Sequence, residues 1–272
     1  MSSPPLDVVS PLGVNTPMSF AVAGEAYDRF MGRYSRELAP RLIDFAGIES
    51  GMSVLDVGCG PGALVERLAE RVGPEHVSAA DPSEPFVAAC AKRVPGADVR
   101  QAEAEELPWP DEAFDGALAQ LVVNFLRDPQ AGAAEMRRVV RPGGVVGACT
   151  WDYGDGMQML RVFWDAAKAL EPDAPDEGRT MRFRSTEELE ELWREVGVEE
   201  VETGTIEIET TYADFDDFWE PLTFGVGPAG AYFNTLEPKR QEALRDELLD
   251  RLGSPAGPFT LGARACAVRG VR

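Results

Sequence analysis

In the first half of the chain, three groups of residues can act together: an acid, a run of glycines and a second acid further on. Val54-Leu55-Asp56-Val57 has the apolar residues of a buried strand, and Gly58-Cys59-Gly60-Pro61-Gly62 turns the chain out of it. Ala63, Leu64, Leu68 and Val72 follow at helical spacing, with Glu66, Arg67, Glu70 and Arg71 left for the solvent side. Glycines in such a turn accept positive φ and leave room where a Cβ would meet a ligand. The spacing is Gly58-x-Gly60-x-Gly62, not the G-x-G-x-x-G of a diphosphate cradle, and an acid, Asp56, precedes it. A carboxylate there repels a diphosphate and attracts an ammonium or a sulfonium, so the loop suits a positively charged nucleoside. Asp81 closes the next apolar run, His76 to Ala80, where an ionised carboxylate can accept strong hydrogen bonds from both ribose hydroxyls. Taken alone, Asp81 also reads as an aspartate at the start of a helix.

Leu55-Asp56-Val57-Gly58-Cys59-Gly60-Pro61-Gly62 resembles the first motif of class I S-adenosylmethionine-dependent methyltransferases, and within them the bacterial ubiquinone/menaquinone-methyltransferase-like (type 11) set. The resemblance runs over about residues 20–151, roughly half the chain. It implies S-adenosyl-L-methionine as cofactor, held by Asp56, Gly58, Cys59, Gly60 and Gly62 and, after the second strand, by Asp81, Pro82 and Ser83. Val99 to Pro110 resembles the family's third-strand segment, in which an acid and the next backbone amide read the adenine. Those positions fall on Glu103, where the family usually has Asp, and Ala104; Ala102 stands where the family has glycine. Glu105 and Glu106 read as a solvated acidic loop. Ahead of the first strand this family often places a lid, and Tyr27, Arg33 and Tyr34 are its candidates. Arg33 would pair with the methionine carboxylate and Tyr27 would cover that end of the pocket. By pattern alone the same residues form an aromatic helix face docked on a sheet, plus a solvated arginine.

Around these residues the chain reads as strand and helix in alternation, which fixes a parallel sheet. Residues 1–18 read as a poorly ordered tail. From Ser19 the apolar set Phe20, Ala23, Tyr27, Phe30 and Met31 has helical spacing, and a second helix, Arg36 to Ala46, follows a break at Gly32. Ser83 is a candidate N-cap for the helix after the second strand. Ala113 to Val123 reads as the fourth strand, with Gln120 near its ligand-facing end. Asp128-Pro129 starts a helix to about Val140; Arg141-Pro142-Gly143-Gly144 stops it, and Val145 to Trp151 is the fifth strand. Met157 to Leu170 reads as a helix, Ser185 and Glu188 as a capping box, Val201 to Thr210 as a half-exposed strand and Thr260 to Val268 as the closing antiparallel strand. The expected architecture is α/β: a Rossmann-like seven-stranded, mostly parallel sheet with an antiparallel last strand and helices on both faces. An N-terminal helical lid (19–50), a cofactor-binding core (51–151) and a cap with closing strands (152–272) make one methyltransferase domain over 19–272. Within the cap, 211–256 is a helical insertion of unassigned role.

Composition narrows the function classes. The chain has 272 residues, of which 44% are hydrophobic, enough for one packed α/β domain with insertions. A formal net charge of −21 repels nucleic acid and anionic membranes, so a small-molecule acceptor is the expected partner; a homodimer is left open. Solubility or a salt-tolerant host accounts for that charge, and a cationic or neutral acceptor is the other reading. Cys59, Cys90, Cys149 and Cys266 are far apart, with no C-x-x-C, and read as buried free thiols of a cytoplasmic protein rather than disulfides or a metal site. No apolar run reaches the roughly 18 residues of a membrane span. Pro4, Pro5, Pro11 and Pro17, with no basic run, argue against a signal peptide.

Methyl transfer is an in-line displacement at a carbon activated by positive sulfur, so alignment and water exclusion carry most of the catalysis, and neither a metal nor a covalent nucleophile is required. No catalytic side chain is assigned. His76, the one histidine, opens the second strand away from the site, and the family's histidines after the fourth strand are replaced by Asn124-Phe125. Asp152, Asp155 and Tyr153 are speculative bases. Asn124, Phe125, Trp151 and Tyr153 are the candidate acceptor residues; Phe125, Trp151, Tyr153, Phe163 and Trp164 read either as an aromatic acceptor pocket or as core under the cap. The competing functions are a protein that binds the cofactor without catalysis and a nicotinamide-dependent oxidoreductase, whose G-x-G-x-x-G and Tyr/Lys pair are not evident.

Overall fold

The structure is a computed structural model that describes residues 27–272. The expected tail (1–18) and residues 19–26 of the expected lid, including Phe20 and Ala23, lie outside the described residues.

A π-helical turn, Asp28–Gly32, runs directly into helix α1, Arg33–Ala46. The break expected at Gly32 does not occur: its backbone is helical, at φ −62° and ψ −31°. A glycine inside a helix costs only about 1 kcal/mol, so packing overrides it. The absent side chain also has a use, because a Cβ on Gly32 would sit 2.7 Å from Asp28 Oδ1. Helix α1 buries Tyr34, Leu38, Leu42 and Ile43 on one stripe, the 3.6-residue pattern of a helix laid on a sheet, and ends at Gly47 with φ +72°.

Strands β1 (Val54–Val57), β2 (Val77–Asp81), β3 (Asp98–Gln101), β4 (Phe114–Gln120) and β5 (Val140–Trp151) are parallel. β1 and β2 are almost wholly buried, as strands covered by helices on both faces must be. Helices α2 (Ala63–Val72), α3 (Glu84–Arg93) and α4 (Pro129–Val139) connect them. After β5 come α5 (Gln158–Leu170), the short α6 (Glu177–Thr180), α7 (Thr186–Glu195) and β6 (Glu199–Tyr212). The expected insertion is three helices, α8 (Phe215–Leu222), α9 (Gly227–Thr235) and α10 (Pro238–Arg251), before β7 (Phe259–Val271). The strand order is β3-β2-β1-β4-β5-β7-β6, with β7 antiparallel to both neighbours. This is the expected α/β architecture.

One core packs under α1, α2, α3 and α5; a second holds Met136, Leu189, Leu192 and Trp193 of α4 and α7 on the opposite face. Several boundaries differ from the sequence reading. His76 belongs to a 3₁₀ turn, Pro74–His76, ahead of β2. Residues 140–144 extend β5 rather than stopping α4, with a register shift against β4 between Phe114 and Gly116 that absorbs the Pro-Gly-Gly bend. Ser83 precedes α3 but makes no side-chain cap; its N–H is instead taken by Asp81. Asp128 caps α4 by accepting from Ala131 N at 3.0 Å, as expected. Ser185 caps α7 through Glu188 N, while Glu188 reaches back to Arg184 N rather than to Ser185 N.

Candidate active site

The order of the sheet reverses between β1 and β4, so the connections leaving those two strands diverge and open a crevice at their carboxyl ends. A cavity of about 470 Å³ lies there. Gly58, Gly60, Asp81, Pro82, Ser83 and Gln120 line it, from the ends of three strands. Glu103 and Ala104 from the segment after β3 also line it, as does Tyr27, whose ring meets Phe86 edge-on at 5.5 Å between centroids.

The glycine loop is held in place by backbone bonds. Gly58 N and Cys59 N both donate to Ala80 O, at 2.8 and 3.0 Å, and Gly60 N donates to Asp81 Oδ2 at 2.9 Å. All three glycines have positive φ, but each is glycine for its own reason. A Cβ on Gly58 would strike the Val122 side chain at 2.5 Å, and one on Gly62 would meet Cys90 Sγ at 2.9 Å. A Cβ on Gly60 would meet nothing within 4 Å, because it faces open cavity. Gly62 therefore serves the packing of α2, for which it is the N-cap, and does not line the cavity. Cys59 is buried behind the loop, where a hydrogen bond with Cys90 and burial hold its thiol well above the usual range.

The two acids take different places. Asp81 lines the cavity, 6% exposed, and burial pushes its carboxyl up to about 6 against the two backbone donors Ser83 and Gly60, with Glu103 adding to the rise. Asp56 lies beneath the loop rather than on the cavity wall, contrary to the expectation of direct contact. Both of its oxygens are buried without a hydrogen-bond partner, and burial followed by the charge of Asp81 holds its carboxyl well above the usual range. Gln120 donates to Ser35 O at 3.2 Å, which leaves its Oε1 buried and unpartnered at the cavity. Unsatisfied buried acceptors are costly and call for a donor or a cation. The orphan oxygens of Asp56 and Gln120, the open space at Gly60 and the carboxyl of Asp81 fit a cationic nucleoside.

Arg33 lies away from the cavity. Its guanidinium is bidentate on Asp217, at 2.6 and 3.1 Å, and stacks 4.5 Å over the Tyr212 ring, which corrects its placement at a ligand carboxylate. Tyr34 is fully buried and shares a 2.7 Å hydrogen bond with Tyr212, so it is core rather than lid. Glu105 is not simply solvated: Oε1 accepts from Arg127 N and Asp128 N, at 3.1 and 3.2 Å, and the residue also lines the cavity; Glu106 is exposed.

Beyond the glycine loop the cavity continues into a largely apolar chamber walled by Phe30, Met31, Phe125, Trp151, Leu160 and Val226. Tyr153 lines it, whereas Asn124 stands behind, donating to Tyr153 Oη at 3.1 Å. Phe163 and Trp164 are fully buried core. Asp152 is held by Arg264 at 2.6 Å, and neither it nor Asp155 lines the cavity, which removes both as bases. His76 sits at the opposite end of β2 from Asp81. Glu177, missed by the sequence reading, lines the chamber while only 2% exposed. Its Oε1 accepts from Trp164 Nε1 at 2.8 Å, and burial pushes its carboxyl up to about 7. Nothing in the sequence marks one glutamate out of 47 acidic residues as buried.

Residues 55–147 match the type 11 family model described as "Methyltransferase domain". Over those residues the chain carries a methyltransferase domain of the class I S-adenosylmethionine-dependent kind. It is similar to the malonyl-acyl-carrier-protein O-methyltransferase of Pseudescherichia vulneris, 33% identical over 54% of this chain and 57% of that protein. It is also similar to the nocamycin O-methyltransferase of Saccharothrix syringae, 34% identical over 44% of this chain and 48% of the relative. The matches thus span about half the length of these curated relatives. The YcgJ protein of Bacillus subtilis shares the fold, with a TM-score of 0.54 over 88% of this chain and 98% of its own at 15% identity. Among the described residues no helix is long and apolar enough to cross a membrane.

Proposed function

We propose that this chain transfers the methyl group of S-adenosyl-L-methionine to a small, largely apolar acceptor by in-line displacement, with catalysis mainly by positioning. The observation that carries this reading is one cavity in which a cradle for a cationic nucleoside opens into an apolar chamber. Asp81 would hold the ribose, Glu103 and Ala104 the adenine, and Gln120 Oε1 the ammonium, with Asp56 supplying negative charge beneath the loop. The bound cofactor supplies an electrophilic methyl group on positive sulfur. The chain's own part is to align the acceptor with that methyl and to keep water out. Tyr27, Met31 and Phe30 close the chamber from the α1 side, and α9 closes it from the cap through Val226 and Pro228.

The names of both relatives specify O-methylation, so an oxygen acceptor is the first to test. The same reading makes the protein a cytoplasmic bacterial enzyme built as lid (19–50), core (51–151) and cap (152–272), acting without nucleic acid or membrane; size-exclusion chromatography decides whether it works as a homodimer. Calorimetry with S-adenosylmethionine and its demethylated product is expected to show binding. Gly60→Val, whose side chain enters the open space of the cavity, is expected to abolish that binding while the circular dichroism of the fold is retained. Retained binding in Gly60→Val overturns the loop assignment. Mass spectrometry of methylated product against a panel of hydroxyl, amine and activated-carbon acceptors separates turnover from binding without catalysis.

A further inference from the structure

The chamber beyond the glycine loop has few polar groups. On the wall formed by the end of β5, α5, α6 and α9, Tyr153 and Glu177 are the polar side chains among apolar ones. Tyr153 Oη is occupied by Asn124, and its hydroxyl is held far above the usual range by burial and then by the nearby Glu177. Both groups line the same cavity. Glu177 has one oxygen on Trp164. The nearby cations are spent on its neighbour: Asp176 is paired with Arg161 at 3.0 Å, Lys168 at 3.4 Å and Arg179 at 3.9 Å. Among the described residues no ion pair reaches Glu177. The chain therefore keeps a nearly inaccessible carboxyl group, without a counter-ion, on the wall of an apolar chamber. A group so placed binds a proton at modest acidity and takes one from a ligand with little reorganisation.

We propose that Glu177 is the catalytic base of the methyl transfer inferred above and selects its acceptor: a mainly apolar molecule presenting an O–H or N–H, and not a carboxylate. The inference rests on the methyltransferase reading and deepens it. In the step, a lone pair on the acceptor oxygen or nitrogen forms the new bond to the methyl carbon as the carbon–sulfur bond breaks with its pair left on sulfur. The acceptor's proton passes to the free oxygen of Glu177, which later yields it to solvent. A carboxylate acceptor has no proton to give and would set a second negative charge beside Glu177 in a low-dielectric chamber, which is strongly disfavoured. The groups that face Glu177 are Trp164, whose N–H favours the ionised form, Asp176, which opposes it, and Arg161, which favours it; Tyr153 stays neutral.

The test uses three probes on one ring system, 2-naphthol, 2-(aminomethyl)naphthalene and 2-naphthoate, with the full chain saturated in S-adenosylhomocysteine for binding and given S-adenosylmethionine for turnover. At pH 7.5 the wild type is expected to bind naphthol or the amine at least about tenfold more tightly than naphthoate, and Glu177→Gln to bring the ratio within about threefold with product affinity unchanged. Where a probe turns over, kcat/KM is expected to rise with pH through an apparent pKa near 7, and Glu177→Gln to lose about 100-fold or more. Trp164→Phe removes the bond that favours ionisation, so its midpoint is expected to move upward; this variant decides the matter if Glu177→Gln fails to fold. Naphthoate bound or methylated as well as the donors, no binding of either donor, or an unmoved pH profile in both variants overturns the proposal. Failure of the wild type to bind S-adenosylhomocysteine removes the methyltransferase reading instead, whatever the probes do.

Discussion

At the scale of single residues, the glycine loop shows how one motif can contain three different constraints. Gly58 is small because Val122 lies against it, Gly62 because Cys90 does, and Gly60 because it faces open space. The sequence made all three equivalent; only the neighbours, which come from the segment after β4 and from α3, tell them apart. The place of Asp81 on the cavity wall was legible for a simpler reason, since a carboxylate at the carboxyl end of the strand beside the loop faces the same crevice. The structure adds that it also holds the loop, through Gly60 N and Ser83 N at 2.9 Å each. Asp81→Ala is therefore expected to weaken binding of S-adenosylhomocysteine by about 1–3 kcal/mol, through lost charged hydrogen bonds and a looser loop. Isothermal calorimetry reads this directly, and an unchanged affinity removes Asp81 from the ribose site. Glu177 was not legible at all. A glutamate acquires its chemistry by being buried, and burial against Trp164 of the preceding helix leaves no trace in its immediate neighbours along the chain.

At the scale of elements, the helix before β1 and the insertion after β6 form one structure. Arg29 pairs with Glu220 at 2.6 Å and packs 5.0 Å from the Phe224 ring centre, and Arg33 pairs with Asp217, so α8 is tied to the N-terminal helix at two points. Tyr34, buried against Trp151 and bonded to Tyr212, anchors the same helix to β5 and β6. Periodicity placed a helix here and a helical insertion there. It did not show that they meet, and the family resemblance placed Arg33 at the ligand. The geometry gives Arg33 a structural role. Arg33→Ala is expected to lower stability by about 1 kcal/mol, a Tm drop of roughly 2–4 °C, by removing a part-exposed bidentate pair and its stacking on Tyr212. Differential scanning calorimetry measures that loss. Affinity for S-adenosylhomocysteine is expected to stay at the wild-type value; a large fall would return Arg33 to the binding site.

Over the whole molecule, the −21 charge is a surface property, while the acids that matter to the site are buried at one edge of the sheet. Burial raises Asp81 from 3.8 to about 6 and Glu177 from 4.5 to about 7. The folded protein then binds more protons than the unfolded chain between about pH 4 and 7, so stability falls as pH rises through that window, by roughly 3 kcal/mol for each group at most. At fixed ionic strength the thermal midpoint of the unliganded protein is expected to decline over pH 4–7, and Asp81→Asn to flatten the part between 4 and 6. A cationic ligand beside Asp56, with hydroxyls on Asp81, favours the ionised carboxylates. Calorimetry near pH 6 in buffers of different ionisation enthalpy is accordingly expected to show proton release on binding; proton uptake would contradict the arrangement. What the sequence determined alone was local: alternating strands and helices, the turn that glycines allow, and the acids within β1 and at the end of β2, because each depends on residues a few positions apart. Which of those acids touches the cavity, which arginine is free and which glutamate is buried were decided only when distant elements packed together, since exposure and counter-ions are properties of spatial neighbours.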